Sequence, residues 1–171
     1  GDPDWMARTV SLAVENDVGI GAHPAYPDLA GFGRRNMDLT PAEVHNAVTY
    51  QVGALAAFAP DRKLQHVKPH GALYNTAVGN AAVAEAIVLA VQAFDPDLIH
   101  VVLAGSQWES IAKKHGVRVA RECYADRAVT PEGSLVPRSQ PGAVVHDPET
   151  VVERSLKLAT EGKVIAIDGT E

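Results

Sequence analysis

The chain alternates short, β-branched apolar runs with sharply punctuated helices, and few folds accommodate that pattern. The runs are "VGIGA" (18–22), "LQHV" (64–67), "LIHVVLA" (98–104), "VRVA" (117–120) and "KVIAI" (163–167). Their shortness, branching and lack of strict alternation predict strands buried on both faces. The helices between them announce their own starts. In "LTPAEV", Thr40 caps, Pro41 suits the first helical position and Glu43 completes a capping box. Val44, Val48, Val52, Leu55 and Ala59 then form one apolar stripe. "SQWES" repeats the box with Ser106 and Glu109, and that helix is expected to stop at His115-Gly116. "NAAVAEAIVLAVQAF" starts at Asn80 and breaks at Asp95-Pro96, while "HDPETVVERSLKLATEG" runs from an Asp147 cap to Gly162. A shorter helix is expected from Pro3 to Glu15, capped by Asp2. Strands alternating with helices in this way imply an α/β fold with a parallel sheet and right-handed crossovers. Five strands make either an open sheet or most of a barrel. Because the chain starts on a helix cap and stops just past a strand, at "AIDGTE", the expectation is a partial chain of one domain over 1–171, lacking a first and a last strand.

Bulk properties narrow the functional classes. A net charge of −6 argues against a nucleic-acid or anionic-membrane surface, either of which needs a basic patch. No apolar run approaches the roughly 20 residues of a membrane span. A single cysteine, Cys123, excludes an internal disulfide and fits a reducing, cytoplasmic setting; it reads as a buried small hydrophobe.

In parallel α/β folds ligands bind beyond the carboxyl ends of the strands. Strand 18–22 leads to "HPAYPD", with His23, Tyr26 and Asp28. Strand 64–67 leads to Lys68 and His70 in "HVKPHGALY"; a lysine between an apolar strand and a proline is aimed at the rim rather than outward. His66, inside the strand pattern, reads as a hydrogen-bonded core residue. Strand 98–104 delivers Gly105 and Ser106 to a helix N-terminus, whose amides can receive an anion. Strand 117–120 leads into "RECYADR", with Arg121, Glu122, Asp126 and Arg127. The connection onward to His146 is long enough to be functional, and in it Arg138 and Ser139 suit a carboxylate or phosphate. Each of these also has a plain reading: a turn histidine, a solvated arginine, a capping serine. The loop "DLAGFGRRNMDL" (28–39) is Gly-rich but lacks the strand-to-helix context of a nucleotide fingerprint.

Taken together, "GAHPAYPDLAGFGRR", "HVKPHGALYN", "LAGS" and "ECYADRAVTPEGSLVPRSQPGAVV" resemble the LamB/YcsF family, whose characterised members are the A subunits of 5-oxoprolinase, along essentially the whole chain. The resemblance implies an irregular (β/α) barrel related to the glycoside hydrolase/deacetylase barrels. It implies ATP-dependent opening of 5-oxoproline (pyroglutamate) to L-glutamate, with Mg2+ accompanying the ATP and no metal held by the protein itself. The implied partners are two further subunits, B and C, with a homo-oligomer open. Carried onto this sequence, it marks His23, Lys68, His70 and Asp126 as catalytic candidates, and Arg127, Arg138, Ser139 and Ser106 as binders of substrate or phosphate. The resemblance implies that the family's G-F-H-A-G-D segment precedes this chain, with Gly1-Asp2 resembling its last two residues, and that an H-G-D segment follows Glu171. Two rivals stay open: a metal-dependent deacetylase or amidohydrolase using histidines and an aspartate at strand ends, and a non-catalytic subunit that binds a small carboxylate or a partner.

Overall fold

The computed structural model describes residues 2–170. In chain order its elements are α1 (Pro3–Glu15), β1 (Gly21–Ala22), α2 (Pro41–Ala56), β2 (His66–Val67), α3 (Gly71–Gly79), α4 (Ala81–Phe94), β3 (Ile99–Leu103), α5 (Gln107–Lys114), β4 (Val119–Glu122) and α6 (Pro148–Glu161), with a 3-10 turn at Pro60–Arg62. The helix starts obey local chemistry. Thr40 and Glu43 close a full capping box on α2, Asn80 accepts from the amides of Ala82 and Val83, and Asp147 accepts from that of Thr150. The α5 box is only half made. Ser106 accepts from the Glu109 amide, but the Glu109 carboxylate reaches past it to the Gly105 amide at 2.6 Å.

The sheet is parallel in the order β1-β2-β3-β4, with His66 facing both Gly21 and Ile99, and His100 facing Val119. Its ladder runs further than the two-residue strands. Gln65 N–H donates to Ile20 O (2.7 Å), Lys68 N–H to Ala22 O (2.9 Å) and His70 N–H to Pro24 O (2.8 Å). Backbone pairing therefore continues through Lys68 and His70, fixing their heights against β1.

Burial alternates along these segments, which corrects the expectation of strands covered on both faces. Ala22, Pro24, Tyr26, Val67, Pro69, His100 and Val102 are buried, whereas Gly21, His23, His66, Lys68, His70, Ile99 and Val101 are exposed or half-buried. Helices α2, α4 and α5 pack on one another and cover the first set, with Val48, Val52, Ile87, Val91 and Trp108 fully buried in that core. A small separate cluster of Ala128, Val136 and Ala143 lies under the long connection after β4.

Two more expectations change. Residues 163–167 form no strand; Ile165 and Ile167 are exposed, and the Ile167 amide donates to Val129 O at 2.9 Å. A short apolar run specifies extended backbone without specifying its partner. Helix α3 carries no start signal in the sequence, and it meets α4 at a bend of 117° on Asn80. Among the described residues no single helix is long and apolar enough to cross a membrane.

Candidate functional site

The half-open face of the sheet gathers the first candidates at the carboxyl ends of β1, β2 and β4. His23 follows β1, Lys68 follows β2, and His70 stands at the cap position of α3 without making a capping bond. Residues 68 and 70 share a side of the extended segment because Pro69 between them faces the core. His23 Nδ1 lies 2.5 Å from the Lys68 carbonyl oxygen, and its Nε2 lies 3.0 Å from His70 Nδ1. The other His70 nitrogen, Nε2, is 2.9 Å from the Phe32 carbonyl oxygen, with the Phe32 ring edge-on to the imidazole. Burial lowers the His23 pKa; the backbone bond to Lys68 opposes this, and the charges of His70 and Lys68 add to it.

Lys68 reaches across the width of β3 to an ion pair with Glu122, the last residue of β4. Tyr124 donates its hydroxyl to the other Glu122 oxygen at 2.7 Å, and its ring lies 5.5 Å from the lysine ammonium. Burial works against the charge on Lys68, but Glu122 and Tyr124 outweigh it and raise the pKa. Tyr74 and Tyr124 meet edge-to-face, with the Tyr74 hydroxyl buried beside Tyr124 and Glu122. Burial, then the neighbouring Tyr124 and Glu122, pushes the Tyr74 pKa up. Glu122 and Tyr124 stand in the "RECYADR" run, and the signal that singles out Glu122 is physical: a half-buried lysine needs an acid within reach.

The loop from Asp28 to Arg35 closes over this corner. Asp28 accepts from the Gly31 amide (2.9 Å) and the Arg35 amide and is ion-paired with the Arg35 guanidinium, which holds its pKa down to about 2. Gly33 N–H donates to Asp28 O and Arg34 N–H to Gly31 O, so the amides of this Gly-rich turn are engaged within it. Leu29 and Phe32 stand out from the loop, 98% and 71% exposed.

The remaining candidates are placed elsewhere. Arg127 is buried, and its guanidinium donates to Ala143 O (3.2 Å) and Val136 O (2.7 Å), bracing the long connection; burial and nearby Arg138 lower its pKa. Ser106 is buried and donates to Leu103 O while capping α5. Since Glu109 already occupies the Gly105 amide, the anion position expected at that helix start holds a carboxylate of the chain itself. Asp126, Arg138 and Ser139 are exposed on the connection after β4. His66 is half-buried and pairs with Gln65 at 3.2 Å, its ring lying where any side chain on Gly21 would stand. Cys123 is exposed rather than buried. Among the described residues no group of three or more His, Cys, Asp and Glu side chains converges as a ligand set for a metal ion.

The site can therefore move a proton between two imidazoles and hold a lysine–carboxylate–phenol chain beside them. A family model, LamB/YcsF family, matches residues 1–171. A protein from Syntrophobacter fumaroxidans, named as the A subunit of 5-oxoprolinase, is 54% identical over 173 residues, covering 100% of this chain and 68% of its own length. One of the same name from Pyrococcus horikoshii is 53% identical over 171 residues, covering 99% and 67%. The crystal structure of a lactam utilization protein from Thermus thermophilus superposes with a TM-score of 0.88 at 49% identity, covering 99% of this chain and 70% of that one.

Proposed function

Since the chain belongs to the LamB/YcsF family, we propose that it works as the A component of a 5-oxoprolinase, opening the lactam of 5-oxoproline to L-glutamate at the rim formed by His23, Lys68, His70 and Glu122. The single observation carrying this reading is the fixed contact of two histidines beside a lysine–glutamate pair at the carboxyl ends of parallel strands. A five-membered lactam is a stable amide, so hydrolysis needs both activation of the carbonyl and proton transfer to the departing nitrogen. We assign proton transfer to His23 and His70. Lys68, aimed by Glu122 and Tyr124, stabilises the negative charge of the phosphoryl group carried on the amide oxygen. Asp126, Arg138 and Ser139, exposed on the connection after β4, are the groups we assign to the substrate carboxylate.

ATP enters as a co-substrate whose terminal phosphoryl group passes to the amide oxygen as ADP leaves. We assign the nucleotide to the B and C subunits of a cytoplasmic assembly, because the Gly-rich turn at 28–35 and the α5 start already spend amides on carboxylates of the chain itself. The test is release of glutamate from 5-oxoproline by this chain with and without the two partner subunits. Turnover should need ATP and all partners. Lys68→Ala and His70→Ala should each lower it at least about tenfold while remaining folded, and His115→Gln, whose ring pairs with Glu85 away from the rim, should not. ATP-dependent turnover by this chain alone, or wild-type rates for both rim variants, would sink the proposal.

A further inference from the structure

Two imidazoles meet at the rim with a proton between them or with two lone pairs opposed. His23 Nδ1 faces the Lys68 carbonyl and His70 Nε2 faces the Phe32 carbonyl. A carbonyl oxygen only accepts, so each of these nitrogens carries hydrogen. A neutral imidazole has one N–H, which leaves His23 Nε2 and His70 Nδ1 as bare acceptors 3.0 Å apart. Opposed acceptors at that distance repel, whereas one added proton makes the contact a charge-assisted N–H···N bond. We infer that His23 and His70 hold one proton in common, and that this singly charged pair, rather than either ring alone, is the acid–base unit of the rim.

The opposed lone pairs disfavour the proton-free state, and the surroundings disfavour two protons. Lys68 and Glu122, which face the pair from β2 and β4, are joined to each other and largely cancel. On the loop side Arg35 is engaged by Asp28, and Arg34 lies over the Phe32 ring. The start of α3 points its dipole at His70, a weak opposing field from a nine-residue helix. Burial disfavours charge on His23, and a charged His70 beside it adds to that, so the two rings do not both carry one. Phe32 holds its carbonyl on His70 from a left-handed backbone conformation (φ 56°), so the outer contact is built into the turn.

The catalytic meaning rests on the reading above. As the lactam C–N bond breaks, its electron pair goes to nitrogen, which takes the shared proton. The water whose oxygen bonds to the carbonyl carbon returns a proton to the pair, which ends as it began, and a second water then hydrolyses the acyl phosphate so formed to L-glutamate and inorganic phosphate.

The protonation state is tested without substrate or partners, on the full chain labelled with 15N-histidine and followed from about pH 5 to about pH 9. Near neutrality His23 Nδ1 and His70 Nε2 should both carry hydrogen. The two facing nitrogens should give averaged shifts that move together in a single one-proton step, with a second step only in acid. Independent titration of the two rings, or an outer nitrogen without hydrogen, overturns the inference whatever the turnover assay gives. In the reconstituted assembly, His23→Asn and His70→Gln should each lose at least about tenfold, and the double variant no more than the worse single one. Losses that multiply would mean that the rings act separately.

Discussion

Lys68 and Glu122 are charges held largely out of water, with side chains 30% and 19% exposed, so each depends on the other. Removing one leaves its partner desolvated and unpaired, which is the expensive outcome. Lys68→Met and Glu122→Gln should each destabilise by about 1–3 kcal/mol, and the double variant by about 1–2 kcal/mol less than their sum. Denaturant unfolding of the four proteins measures this, and simple additivity would show the pair to be independent. His100 makes a different case. It sits in the helix-covered core of the sheet, and burial lowers its pKa from 6.5 to about 4. The unfolded chain therefore binds that proton first as pH falls. The contribution to stability is whole above pH 6.5 and drains away toward about 4, by as much as about 3 kcal/mol. Melts of wild type and His100→Leu across that range should show a steeper loss in wild type. Little of this is legible in the sequence: Pro69 and the apolar run place Lys68 and His70 at a strand end, but the acid that pairs with the lysine lies 54 residues away and depends on strand register.

Among elements, what is legible is what is local. Caps at Thr40, Asn80, Ser106 and Asp147 act within three residues, so the sequence discloses them; α3 begins on His70 and Gly71, neither of which caps, and only tertiary contact makes it start there. That contact is specific. Gly71 has φ +57°, and a Cβ on it would stand 2.6 Å from the Gly33 carbonyl oxygen, which accepts from the Ala72 amide. Gly71→Ala should thus push the 28–35 turn off α3 and take the Phe32 carbonyl from His70. Gly116 has a similar φ (+71°) with open space around it, so Gly116→Ala should register backbone strain alone, about 1 kcal/mol. Thermal unfolding should rank Gly71→Ala clearly below Gly116→Ala. Equal losses would remove the turn from any role in holding the histidine. The segment 163–167 misleads for the converse reason, since its composition suits a core strand while the Ile167 amide pairs with the connection after β4.

For the molecule as a whole, the four parallel strands follow in sequential order with helices packed on one face, a winding compatible with a barrel wall, whereas a doubly wound sheet reverses its order and carries helices on both faces. Alternation and caps are enough to read that winding, whereas the bare inner face is not readable, because half-exposed Ile99 and Val101 look in sequence like core residues. At the far end, α6 buries none of its residues, and Arg154 ties it down by donating to the carbonyls of Ala125 (2.9 Å) and Arg127 (2.7 Å). A helix attached through polar bonds has little apolar surface to lose on leaving, so this chain has two stabilities. Amide exchange in α6 should run through a partial opening well below the energy that releases α2 and α4. The same event frees the backbone at 125–127, from which Arg127 braces the connection carrying Arg138 and Ser139. Arg154→Ala should then speed exchange in residues 125–129 together with α6 and leave α4 unchanged, whereas exchange of α6 only by global unfolding would contradict it. Peeling of one peripheral helix would in this way slacken a stretch of the rim while the sheet beneath stays intact.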